Sequence, residues 1–123
     1  MNEERLWEEL GPEGFERVVA AFYRRVKTDD LIGPMYPQDD WKGAERRLAG
    51  FLKFRIGMDQ AYLNERGHPR LRARHMPYEI GEAERDRWLQ LMGEALDEEE
   101  VAGEARAELD AFFAQVADFM RNR

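Results

Sequence analysis

From Met58 to Ile80 the chain runs for 23 residues in which Gly67, Pro69 and Pro77 prevent a continuous helix. Connections of that length are uncommon in a compact domain and tend to carry function. This one also holds both histidines of the sequence, His68 and His75. A fold for this chain must therefore bring ordered elements to either side of the segment and pack something beneath it.

The flanking sequence reads as helical. No run alternates apolar and polar residues with period two, and β-branched residues are scarce, with a single threonine. A short helix around Glu3–Leu10 is expected to end at Gly11. Pro12 suits the first turn of a second helix running to about Lys27, with Phe15, Val18, Val19, Phe22 and Val26 on one stripe. Leu31 to Pro37 contains two prolines and a glycine and cannot be a long helix. Asp39 or Asp40 can cap a third helix from Trp41 to about Ile56, and Gly57 is placed to end it. A fourth helix, Gly81 to Leu96, is expected to bury Trp88, Leu89, Met92 and Leu96. The last, about Val101 to Arg121, is expected to bury Leu109, Phe112, Phe113, Val116, Phe119 and Met120 among others. The expectation is one all-α domain over residues 1–123.

Composition removes several functions. Without cysteine there are no disulfides, thiolate zinc sites, cysteine-held clusters or cysteine nucleophiles. A net charge of −7 argues against a nucleic-acid partner. No apolar run reaches the roughly 18 residues of a membrane span, and the acidic start lacks the apolar core of a signal peptide, so a cytoplasmic location is expected. One stretch runs against the acidic balance: Arg66 to Arg74 carries four arginines and no acid. It reads either as a solvated basic turn or as a site for anionic groups on a ligand.

Catalytic motifs are few. There is no His-Glu-x-x-His pair for zinc, no glycine-rich phosphate loop and no nucleophile elbow. Glu65–His68 has the Glu-x-x-His spacing of di-iron proteins but stands alone, where such sites need two copies and two further glutamates. His75, just before Met76-Pro77-Tyr78, is either a structural hydrogen-bonding residue or a metal ligand. Tyr23, Tyr36 and Trp88 each combine a large ring with a polar tip needing a partner. They read as core edges satisfied by backbone carbonyls, or together as donors around a polar guest.

The stretch Gly67-His68-Pro69-Arg70-Leu71-Arg72-Ala73-Arg74-His75-Met76-Pro77-Tyr78 is followed at a fixed interval by Glu84-Arg85-Asp86-Arg87-Trp88-Leu89. With Phe22-Tyr23, Met35-Tyr36-Pro37 and Ala44-Glu45-x-Arg47-Leu48, it resembles the group II (O-type) truncated globins along nearly the whole chain. The resemblance implies a two-over-two helical sandwich around haem b, with His75 as proximal iron ligand. It further implies a porphyrin covered by Leu48, Phe51, Leu71, Tyr78, Ile80 and Met92, with Arg47, Arg55 and Arg74 as candidates for its propionates. Tyr23, Tyr36 and Trp88 would donate hydrogen bonds to bound dioxygen, carbon monoxide or nitric oxide, and Ala44 would leave ligand entry open. Two departures stand out: Gly57-Met58 where the family often has paired glycines, and Arg55 at a position commonly polar or aromatic.

On this resemblance the chain is expected to bind oxygen reversibly. Nitric oxide dioxygenation and peroxidase-like turnover are open activities that would need an external reductase. A haem-based gas sensor and a cofactor-free interaction module are the alternatives. A second copy of the chain in a homodimer is an open expectation.

Overall fold

The structure, a computed structural model, describes residues 1–123. Helix α1 spans Glu3–Val26, α2 Trp41–Gly57, α3 Ala61–Arg66, α4 Leu71–His75, α5 Glu82–Glu98 and α6 Gly103–Phe119, with a 3₁₀ turn at Gly33–Met35. Helix α1 packs on α2 and α5, α5 packs on α6, and α3 lies against α2. No helix is long and apolar enough to cross a membrane.

The break expected at Gly11 is present as a kink within α1, where Gly11 adopts φ 66° before Pro12. Beyond it, Phe15, Val18, Val19, Phe22 and Val26 are all buried, as their helical spacing requires. They meet Leu52 and Ile56 of α2, Met92 and Leu96 of α5, and Leu109 of α6 in one core. Each such side chain contributes about 1.5–3 kcal/mol relative to leaving it in water.

Several features differ from expectation for identifiable reasons. Gly57 does not end α2. Met58 takes the left-handed position, φ 58°, while the Asp59 N–H returns to the Lys53 carbonyl at 3.1 Å. Gly57 is needed for space instead, since a Cβ there would sit 2.4 Å from the Trp7 ring. Asp40 occupies the N-cap position of α2, but its carboxylate pairs with Arg47 at 3.0 Å rather than with backbone N–H groups. At α5, Leu91 and Ala95 are buried, while Trp88 and Leu89 are only half-buried. Phe119 continues the stripe of Phe112 by spacing, yet it is the last residue of α6 and stands 61% exposed.

The irregular segment contains two short helices, neither longer than six residues. Glu65 lies on α3 and His68 beyond its end, so the isolated Glu-x-x-His does not form one helical face. No residue of α4 is buried. This five-residue helix, too short to be stable alone, is held by what lies at its ends.

Candidate functional site

Between α2, α4, α5 and α6 lies a cavity of about 420 Å³, within the size range of ligand clefts. Of its 25 lining residues 18 are hydrophobic, so an occupant must be mostly apolar. His75 enters from the last residue of α4. Its Nδ1 lies 2.6 Å from the Leu71 carbonyl one turn back. A carbonyl can only accept, so Nδ1 donates to it, and in the neutral ring Nε2 is the nitrogen with the free lone pair. No group of three His, Cys, Asp or Glu side chains comes together that could hold a metal ion. His68 is exposed and accepts the Arg70 N–H at 3.2 Å through Nδ1.

The three polar-tipped aromatics converge on the same cavity from separate segments: Tyr23 from α1, Tyr36 after the 3₁₀ turn and Trp88 from α5. Tyr23 and Tyr36 meet edge to face with centroids 5.5 Å apart. Burial pushes the Tyr23 hydroxyl well above its ordinary value, and the hydrogen bond to Tyr36 pushes it further. Burial also raises Tyr36, partly offset by hydrogen bonds from Tyr23 and the Trp88 side chain. The Trp88 ring N–H can only donate, whereas each phenol can donate or accept. Both phenols stay protonated, and so remain potential donors, throughout the neutral range.

The structure brings Leu48, Phe51, Leu71, Tyr78 and Ile80 to the cavity wall, along with Ala44, Arg47 and Arg74. Two expected residues lie elsewhere. Met92 is 1% exposed in the core between helices and does not line the cavity. Arg55 turns outward, 3.7 Å from Glu3 and over the Phe112 ring, because Phe112 rather than open space lies on its side of α2. The charged rim holds two arginines not singled out as site residues, Arg66 and Arg85. Arg66 Nε is buried and has no hydrogen-bond partner. Arg74 spends donors on the Pro69 and Arg66 carbonyls, at 2.8 and 3.3 Å, and so fastens the start of α4.

Sequence reasoning also missed the α6 wall, where Phe112, Phe113, Val116, Ala117 and Met120 line the cavity. A helical stripe facing a cavity and one facing a core look alike in sequence. Trp41 was legible only as the start of α2, yet its ring lies 5.7 Å from Tyr36 and 6.3 Å from Tyr23, backing the pair.

The apolar cavity, the single free imidazole nitrogen and the arginine rim with an unpartnered Nε fit a flat apolar group carrying its own metal and carboxylates. The comparisons agree. Residues 5–122 match the bacterial-like globin family. A group 2 truncated hemoglobin of Bacillus subtilis is 38% identical over 100 residues, covering 81% of this chain and 75% of that protein. Among solved structures, a thermostable hemoglobin from Thermobifida fusca superposes with a TM-score of 0.90 at 41% identity, covering 95% of this chain and 96% of that one. The truncated oxygen-avid haemoglobin of Bacillus subtilis gives 0.89 at 35% identity, covering 95% and 98%. The chain belongs to the bacterial-like globins, among the group II truncated haemoglobins, and has their all-helical fold.

Proposed function

We propose that this chain holds haem b in the cavity through His75 Nε2 and reversibly binds dioxygen and other diatomic gases there. Haem-based gas binding is the activity of the family to which it belongs. The observation that carries the assignment to His75 is the 2.6 Å bond from its Nδ1 to the Leu71 carbonyl, in an apolar cavity lacking any cluster of metal-ligating side chains. A lone imidazole cannot retain a metal ion, so the metal must arrive with its other ligands already in place. The bond fixes the ring's tautomer and orientation and raises the basicity of Nε2.

Haem supplies an iron with a position open to a gas. The chain supplies the surroundings. Leu48, Phe51, Leu71, Tyr78 and Ile80 exclude water from the apolar disc. Arg74, Arg66 and Arg47 meet its carboxylates, although Arg47 must share itself with Asp40. Tyr23, Tyr36 and Trp88 present donors to a polar guest. A hydrogen bond to a charged acceptor contributes about 1.5–3 kcal/mol, so one donor slows ligand escape roughly ten- to a hundredfold. Ala44 offers only a methyl group, so ligand entry past α2 meets no bulky gate. Strong retention suits chemistry on the bound gas, nitric oxide oxidation or peroxide turnover with an external reductase, better than simple delivery.

The purified protein is expected to carry a Soret band that shifts on reduction and on adding carbon monoxide. The ferrous form without gas is expected to be mainly five-coordinate, because His68 lies outside the cavity. A colourless chain that takes up no haem defeats the proposal.

A further inference from the structure

We infer that Asn122 is a positioning residue for His75, latching the far end of the chain onto the segment that carries it. The inference rests on the haem reading for its consequence, but its geometry stands apart from it. The Ile80 N–H donates to Asn122 Oδ1 at 3.0 Å. In return, the Asn122 and Arg123 N–H groups donate to the Ile80 carbonyl at 2.9 and 3.2 Å. Asn122 Nδ2 donates to the Tyr78 carbonyl at 2.7 Å and lies 3.5 Å from the carbonyl of His75 itself. One side chain thus reaches the carbonyl of the last residue of α4 and two backbone groups of the five residues that follow it.

That attachment matters because α4 has little else. It has five residues, none buried, and a helix of that length has no stability of its own. Arg74 fastens its start through the Pro69 and Arg66 carbonyls, and Asn122 fastens its end. Because Asn122 lies three residues beyond the end of α6, whose Val116 and Ala117 line the cavity, the latch references His75 to the cavity wall rather than to the loop. Asparagine suits the task because it offers an acceptor for Ile80 and a donor for Tyr78 from one amide.

The test uses Asn122→Ala and Asn122→Asp in the full chain, with Glu79→Ala as control. Glu79→Ala breaks only the exposed Arg123 pair beside the latch. Hydrogen exchange without haem should show the Ile80 amide protected in the original chain, protected in Asn122→Asp and unprotected in Asn122→Ala. With haem bound, Asn122→Ala should lose haem to an excess of apomyoglobin about tenfold faster and shift the iron–histidine stretching band of the ferrous form. Asn122→Asp, which keeps the acceptor but loses the donor, should fall between, and Glu79→Ala should match the original chain. The latch is overturned if Asn122→Ala lowers only the denaturation midpoint and leaves haem loss and the stretching band unchanged. It is equally overturned if the Ile80 amide remains protected in Asn122→Ala. A chain that takes up no haem defeats the functional reading, while the exchange experiment still decides the latch.

Discussion

Asp29 and Arg87 join the turn after α1 to the helix that carries Trp88, with Arg87 Nη1 2.6 Å from Asp29 Oδ1. The other Asp29 oxygen accepts the N–H groups of Leu31 and Ile32 at 3.0 and 2.9 Å. Ile32 opens the 3₁₀ turn that ends at Tyr36, and Arg87 directly precedes Trp88. The carboxylate thus ties together the two segments that carry Tyr36 and Trp88 to the cavity.

Replacing Asp29 with Ala frees two backbone donors together and leaves Arg87 only its pair with the exposed Asp30. By analogy with lost helix caps, a cost of about 0.5–2 kcal/mol is expected in urea denaturation. An unchanged midpoint would show that the bonds are replaced by water without loss.

The same carboxylate gives the pH dependence a sign. Burial raises its pKa, but the Ile32 N–H, the Arg87 guanidinium and the Leu31 N–H outweigh burial and hold it below the ordinary value. Arg25 and Arg24 lower Glu98, and Arg85 and Arg121 lower Asp118, in each case against some burial. A lowered folded-state value means the contribution is fully present above the unfolded value, about 3.9–4.3 for carboxylates, and is lost as pH falls through the folded value. Stability measured against these groups should be level from neutral pH to about 4.5 and decline below it. Asp29→Asn should make that decline shallower.

Gly33 tests how closely the Tyr36 turn must approach α1. A Cβ there would sit 2.6 Å from the Val26 carbonyl oxygen, a backbone atom that cannot swing away. Gly33→Ala should destabilise the fold by about 1–3 kcal/mol, as overpacking does. It should also displace Tyr36 and so change the carbon monoxide stretching frequency of the ligated protein. Normal stability with an unchanged frequency would show that the turn has slack.

These contacts also show what sequence could and could not reveal. The stripe Phe15, Val18, Phe22 is legible because its spacing alone dictates one buried face. His75 is legible as an interrupted, histidine-bearing segment, and its role emerges from matching motifs elsewhere. Asn122 and Arg87 are not legible, since each acts through partners 42 and 58 residues away, and nothing local distinguishes them from solvated polar residues. Met92 and Arg55 illustrate the reverse error. Their spacing places them near the cavity side, but one turn of helix separates a cavity wall from a core or a neighbouring ring.

His75 and His68 make a matched pair of substitutions. His75→Ala should abolish stable haem attachment, while His68→Ala should leave the Soret band in place, since His68 is exposed and bonds only its own turn. Equal haem retention in both variants would move the iron ligand elsewhere.

The three aromatic donors should not be equivalent. Tyr23 is buried behind Tyr36, which meets it edge to face, whereas Tyr36 and Trp88 are only half-buried. Tyr36→Phe and Trp88→Phe should therefore each speed oxygen release roughly ten- to a hundredfold in stopped-flow measurements. Tyr23→Phe leaves both of those donors intact and removes only the support of Tyr36, so its effect should be smaller, within about tenfold. The ordering separates direct from indirect donors better than any one rate, because a general loosening of the cavity would raise all three alike. A Tyr23→Phe effect equal to or larger than that of Tyr36→Phe would overturn this ordering and make Tyr23 the donor that meets the gas.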